Sequence, residues 1–219
     1  MTDQETPKAP FETPYPNYDV LDKWDSPSFN DQTRKVVAHR LANVPRRRFL
    51  SPEQYKLVRA LMDVILPQPE RSERHRIPVE AFIDEMLYDN QGSGTRYADV
   101  PPMREAWVKG LAAIEHEARA RHGATFEALP EDDKRALLAM IDEGKVNPQA
   151  WNGLKPRRFF RDILLKESVK LYYAHPTAWN EIGFGGPASP RGYLRLGPDM
   201  RDPWEAEEAR TPQTVETFS

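Results

Sequence analysis

The sequence predicts an all-α protein: an irregular bundle of about six helices, preceded by an extended proline-rich N-terminal arm and followed by a long ordered glycine-rich C-terminal segment. Three observations carry this. Apolar residues recur at helical spacing between proline and serine starts, and no stretch shows the alternation that a half-buried strand needs. The two ends, although irregular by composition, hold large aromatics that a solvated tail normally lacks. The expected organisation is therefore an arm over 1–29, a helical bundle over 30–174 and an irregular segment over 175–219.

The arm holds five prolines, with Phe11, Tyr15, Tyr18 and Trp24 as anchors for lying along a surface. Helical periodicity begins near Asn30, where Val36, Val37, Arg40 and Leu41 form a narrow stripe, and stops before Pro45. Ser51-Pro52-Glu53-Gln54 is a helix start: the serine hydroxyl accepts from an orphan amide, proline fits the first turn and Gln54 completes a capping box. Tyr55, Val58, Met62 and Ile65, together with Leu57, Leu61 and Val64, make this helix apolar around much of its circumference, as a central element would be, until Pro67 ends it.

Pro78 opens a third helix with Val79, Phe82, Ile83, Met86 and Leu87 at helical spacing, and Gly92 and Gly94 break the chain after it. The stretch from Pro102 to about His122 places Trp107, Leu111, Ile114 and Ala118 on one face. A shorter helix from Pro130 to about Glu143 carries Leu137, Leu138 and Ile141, and Gly123 and Gly144 are read as the C-terminal caps of these two. A last helix, Pro156 to about Ala174, points Phe160, Ile163, Leu164, Leu171 and Tyr172 inward.

After it comes HPTAWNEIGFGGPASPRGYLRLG, His175 to Gly197. Five of the chain's eleven glycines fall here, beside Pro176, Pro187 and Pro190, while Trp179, Ile182, Phe184, Tyr193 and Leu194 supply apolar surface. Such a segment must pack on something, in this chain or in another.

Composition excludes several classes. With a net charge of -3 and a mean hydropathy of -0.74, there is no basic excess to displace phosphate counterions, so a dedicated nucleic-acid binder is not expected. The absence of cysteine removes disulfides, thiolate metal sites, iron–sulfur clusters and cysteine nucleophiles. No apolar run reaches the roughly 18 to 20 residues that span a bilayer, so direct membrane insertion is not expected. Arg46-Arg47-Arg48-Phe49-Leu50 imitates a twin-arginine export pattern, but it lies deep in the chain and is followed by Glu53, Lys56, Arg59 and Asp63, so it reads as structural.

Catalytic patterns fail one by one. His116-Glu117 with His122 is no zinc helix, because histidines six apart sit about 120 degrees apart around the axis. Glu115 and Glu117, Asp132 and Asp133, and Glu207 and Glu208 read as polar-face or tail carboxylates, with Asp132 and Asp133 complementing a helix dipole. Gly183-Phe184-Gly185-Gly186 follows no strand, and Ser189 sits in a turn rather than a nucleophile elbow. Lys155-Pro156-Arg157-Arg158 reads as a helix start with solvated arginines. No catalytic, cofactor-binding or metal-binding residue is therefore assigned, and binding becomes the leading class.

Three stretches carry a resemblance: LSPEQYKLVRALMDVILPQ at Leu50 to Gln68, RRFFRDILLKESVKLYYAHPTAW at Arg157 to Trp179, and NEIGFGGPASPRGY at Asn180 to Tyr193. Together they resemble the small-subunit family of gluconate 2-dehydrogenase, its subunit 3 or gamma chain. The resemblance implies a helical, non-catalytic partner of a large flavoprotein of the glucose–methanol–choline class, which binds FAD and oxidises a sugar or polyol hydroxyl: of gluconate, glucose or fructose, or the 3-hydroxyl of a glucoside. It implies that the small subunit stabilises its partner or assists its maturation and export, with no cofactor of its own. Many relatives bear a twin-arginine signal and work in the periplasm with a cytochrome subunit. This chain shows no such leader, so a cytoplasmic location is expected, or a periplasmic one if a partner carries it. It also has His175-Pro176-Thr177-Ala178-Trp179 where several relatives have a tyrosine-glycine-glycine-asparagine turn, which leaves the subgroup open.

The expected partner-binding residues are Trp24, Trp179, Phe184 and Tyr193, with Arg191, since large aromatics dominate interface energy when buried in a pocket. Their alternative is to pack on this chain's own bundle. The rival function is a self-contained helical enzyme or small-molecule binder with His175, Arg191 and Tyr193 around a pocket under the C-terminal segment. A third is a folding chaperone that leaves the mature dehydrogenase.

Overall fold

The computed structural model describes residues 13–92, 94, 97–189, 192, 200, 202 and 204–209. All six expected helices are present: α1 (Asp31–Ala42), α2 (Pro52–Ile65), α3 (Val79–Tyr88), α4 (Met103–His122), α5 (Glu131–Glu143) and a composite last helix. That helix starts as α6 (Pro156–Arg158), widens into a π-helical stretch (Phe159–Leu165) and continues as α7 (Lys166–Tyr173), before the short α8 (Pro176–Trp179). Among the described residues there is no β-strand, only an isolated parallel bridge between Phe29 and Ser189.

The chain divides into two compact units, one of residues 44–172 and one joining 1–43 to 173–219. Thus α1 belongs with the terminal segments, whereas the sequence periodicity placed it in the bundle. The reason lies on its face: only Thr33 and Val37 are buried, and Val37 sits in a cluster with Val20, Phe29 and Trp179. Val36 and Leu41, expected in the stripe, are exposed.

In the unit of residues 44–172, α2 packs on α3, α4 and α5 and is buried through Leu57, Val58, Leu61 and Met62, the central role expected of it. Its capping box forms as read: Ser51 Oγ accepts from Gln54 N at 3.2 Å and Gln54 Oε1 accepts from Ser51 N at 3.0 Å. Gly123 and Gly144 close α4 and α5 in the left-handed conformation. The middle of this unit is aromatic: Phe159 lies 6.0 Å from both Trp107 and Trp151, ring centre to ring centre, and all three are fully buried.

The π-helical stretch corrects the inward face of the last helix. Phe159 is the buried ring and Phe160 is only half-buried, because a π turn spans one more residue than an α turn and rotates the faces on either side of it. Leu171 is half-buried as well, while Ile163, Leu164 and Tyr172 point inward as expected.

Two acidic residues are structural in ways their neighbours in sequence hide. Glu117, read as surface polar, is buried, accepting from Arg121 Nε at 3.0 Å and from Asn147 N at 2.8 Å, so it ties α4 to the turn after α5. The run at Arg46–Leu50 is structural, as read: the Asp84 carboxylate accepts from the amides of Arg48, Phe49 and Leu50, which pins this segment to α3.

Glu80, in the first turn of α3, is buried with Oε2 unpartnered, and burial pushes its carboxyl above the ordinary 4.5, against the pull of Arg76 and Arg59. A raised folded-state value means that its stabilising share is complete below 4.5 and is lost as pH rises through the shifted value. Glu80→Gln should therefore melt higher than wild type at neutral pH, with the gap closing below pH 4.5. A Glu80→Gln protein that melts lower at neutral pH would show that the charge is needed by Arg76.

Candidate partner-binding surface

The terminal unit is built by mutual support of the arm and the segment after α7. A 3-10 turn, Val20–Lys23, is capped by Asp19 and locked across the chain: Val20 N donates to Asn180 Oδ1 at 2.9 Å, and Asn180 Nδ2 donates to Asp19 Oδ1 at 3.2 Å. Further along, Ser189 N donates to Ser28 O and Asn30 N donates to Ser189 O, both at 3.0 Å. Thr13 Oγ1 reaches Glu181 O at 3.0 Å. Irregular backbone thus finds its hydrogen bonds in irregular backbone, and the small core of Val20, Phe29, Val37 and Trp179 is sealed by Tyr18, Leu21 and Trp24.

Trp179 is the centre of this arrangement. It is 2% exposed, its Nε1 donates to Tyr173 O at 2.7 Å, and Phe184 stands edge-on to it at 5.5 Å. Gly183 and Gly186, both at positive φ, shape the turn between them. A Cβ on Gly186 would stand 2.7 Å from the Trp179 ring, and one on Gly183 would stand 2.8 Å from the Tyr15 ring. These glycines let the backbone close over two aromatic faces, and the same turn leaves Ile182 and Phe184 at the surface, 47% and 41% exposed.

The expected partner-binding residues are therefore placed differently from one another. Phe184 is exposed, Trp24 is half-buried against Phe29 at 6.1 Å, and the surface of Trp179 is spent inside this chain. Tyr193 and Arg191 lie outside the described residues. Of the three residues of the rival pocket, His175 alone is among the described residues, and its Nδ1 accepts from Thr177 N at 3.4 Å as the cap of α8.

Two neighbours lie outside the expected partner-binding set: Tyr18, which the sequence reads as an anchor of the arm, and Lys23, which carries no signal. Tyr18 donates to Phe184 O at 3.4 Å, and burial, with Asp19, Glu205 and Asp22 adding to it, pushes its phenol up to about 12. Lys23, an ordinary arm lysine by sequence, is 4% exposed with its ammonium 4.9 Å above the Phe29 ring. Nothing in composition distinguishes a buried arm lysine from a solvated one.

The other unit holds a cleft of about 480 Å³ where the loop before α4 meets the π-helical stretch, lined by Tyr97, Val100, Pro101, Met103, Ile163 and Lys166 among others. It is mainly apolar, and its acidic Asp162 faces Arg158 at 3.9 Å. Among its described lining residues there is no serine, threonine or histidine. Among the described residues no group of three histidine or carboxylate side chains is placed to hold a metal ion, and no helix is long and apolar enough to cross a membrane.

Among the described residues the chain is helical with no β-strand, and its arm and the segment after α7 pack on one another around Val20, Phe29, Val37 and Trp179. A family model described as Gluconate 2-dehydrogenase subunit 3 matches residues 52–186, more than half of the chain. The chain belongs to the gluconate 2-dehydrogenase subunit 3 family, a family of small subunits of a multi-subunit gluconate dehydrogenase complex, which implies partner subunits. Comparison with curated proteins and with solved structures returned no match.

Proposed function

We propose that this chain is the non-catalytic small subunit of a FAD-dependent sugar or polyol dehydrogenase, and that its terminal unit holds and matures a large flavoprotein of the glucose–methanol–choline class. The observation that carries the reading is the exposed pair Ile182 and Phe184, on a turn held by the Tyr18 hydroxyl at Phe184 O and by the edge-on contact of Phe184 with Trp179. Apolar side chains on a pre-ordered loop lose little entropy on docking, which makes them efficient anchors.

FAD belongs on the partner in this reading. Gly183–Gly186 follows a 3-10 turn rather than a strand, so this glycine cluster is not the strand-to-helix turn that cradles a dinucleotide. The family's description names gluconate; in this reading the hydroxyl oxidised, of gluconate, glucose or fructose or the 3-hydroxyl of a glucoside, is selected by the flavoprotein.

Sugar oxidation with added FAD and an artificial acceptor tests this. The chain alone should give no turnover, and co-expression should raise the soluble, FAD-loaded large subunit and its activity together. Robust turnover by the chain without a second protein would overturn the proposal.

A further inference from the structure

Charge is divided unevenly between the two units. Residues 1–43 and 173–219 hold fourteen aspartates and glutamates against nine lysines and arginines, whereas 44–172 holds twenty against twenty-two. Part of that negative excess gathers at the turn that carries Ile182 and Phe184. Residues 204–209 run along this turn: a Cβ on Gly183 would stand 2.9 Å from Ala206 Cβ, and Ala209 N donates to Pro14 O at 2.8 Å. Tyr15, whose ring lies 2.8 Å from the same point on Gly183, donates through its hydroxyl to Glu208 Oε1 at 3.3 Å. Glu205, Glu207 and Glu208 are thus carried past the residue that joins Ile182 to Phe184, and Glu207 and Glu208 are exposed.

Asp19 and Asp22 approach from the arm. Both are exposed, and with Glu205 they add to the upward push that burial gives the Tyr18 phenol, whose hydroxyl donates to Phe184 O. Among the described residues no lysine, arginine or histidine nitrogen comes within 4.0 Å of Asp19, Asp22, Glu205, Glu207 or Glu208. The only described lysine or arginine of the arm and of the segments after α7 is Lys23, which is buried with its ammonium over the Phe29 ring. These carboxylates are therefore not spent on ion pairs within the fold, and they flank an apolar pair that the fold leaves in water.

We propose that this patch receives a basic segment of the partner protein, with the stem of an arginine or lysine lying on Ile182 and Phe184 and its charge meeting Glu205, Glu207 and Glu208. Two features choose this occupant. A long apolar stem with a charged head matches an apolar pair beside carboxylates, and the face of an aromatic ring adds attraction for a cation. An acidic segment would meet like charge, and a neutral one would strip water from the carboxylates with no counter-ion in return. All the groups involved stand on the outer side of the turn, so the occupant reaches them without entering the fold. This rests on the subunit reading and deepens it, by assigning docking area to Ile182 and Phe184 and partner choice to the carboxylates.

The test is the affinity of the full chain for the flavoprotein subunit at several salt concentrations, with melting of each free variant alongside. Wild-type binding should weaken as salt rises. The triple variant Glu205→Gln, Glu207→Gln and Glu208→Gln keeps the side-chain volumes and the acceptor for Tyr15, so the free chain should melt as wild type does. Its complex should be about tenfold weaker at low salt, with a flatter salt dependence that meets the wild-type curve at high salt. Ile182→Ser and Phe184→Ser should weaken the complex at every salt concentration. If the serine variants weaken binding but the triple variant binds as wild type or more tightly, the subunit reading stands and the basic occupant falls. A triple variant that melts markedly lower also overturns the inference, because the carboxylates would then serve this fold. If wild type forms no complex, the subunit reading itself falls and this inference with it.

Discussion

Replacing Asp84 with alanine is expected to destabilise the helical unit by about 3–5 kcal/mol, the scale on which removal of a buried charged partner is felt. Asp84 is fully buried in α3, and its two oxygens accept from Arg48 N at 2.5 Å, Leu50 N at 2.7 Å and Phe49 N at 3.1 Å. Charge-assisted bonds are worth roughly 1.5–3 kcal/mol each, and the loss falls short of their sum because the amides of Arg48 and Phe49 are part-buried and can turn to water. The Leu50 amide is buried and cannot. Since Leu50 leads straight into the Ser51 cap, the start of α2 should loosen with it. Asp84→Asn keeps the volume but turns an amide donor toward amide donors, so it should lose a substantial part of the same stability. Denaturant unfolding followed by tryptophan fluorescence measures both, and an Asp84→Ala cost below about 1 kcal/mol would mean that these amides are satisfied without it.

The second large effect reverses the usual sign of a helix substitution. Alanine in place of a mid-helix glycine normally gains about 1 kcal/mol. Gly110 lies within α4, and a Cβ there would run into three carbons of the Phe159 ring. That ring has little room to withdraw, since Trp107 and Trp151 flank it and all three rings are buried. Gly110→Ala should therefore lower stability by about 1–3 kcal/mol despite its better propensity, as overpacking does. Adding Phe159→Leu to it should recover part of the loss, and a Gly110→Ala chain that melts above wild type would contradict this packing.

Both effects involve features that periodicity does not display. The helices themselves were legible because their ends carry local chemistry: the Ser51 box, Pro52 in the first turn, and Gly123 and Gly144 as left-handed caps are decided by neighbours in sequence. The face of the last helix was not legible, since a period of 3.6 cannot anticipate the π-helical stretch that makes Phe159 rather than Phe160 the central ring. The membership of α1 was hidden for a related reason. Its stripe reads as apolar through Val36, Val37 and Leu41, but the packing uses Thr33 and Val37, one turn apart, and the partner surface comes from Trp179, far along the chain.

The surface was legible in outline and not in detail. Glycines among aromatics announced a shaped segment, and Gly183 and Gly186 do bring Trp179 and Phe184 together. What composition could not divide was which aromatic would be spent inside, because Trp179 and Phe184 both offer large apolar rings and only the tertiary turn sends one inward. Asn180, Tyr18 and Lys23 were invisible as a group, since 160 positions separate Val20 from Asn180 and no local rule joins them. The Asn180 amide that ties arm to segment is an ordinary loop residue by sequence.

Hydrogen exchange of the full chain, free and bound to the flavoprotein subunit, tests the central claim most directly, because the surface proposed and the cleft of the other unit lie in different peptides. Binding should slow exchange over 18–24 and 180–187 and leave 97–103 and 162–167 unchanged. Protection confined to 97–103 and 162–167, with 180–187 exchanging as in the free chain, would place the partner on the cleft and contradict the account.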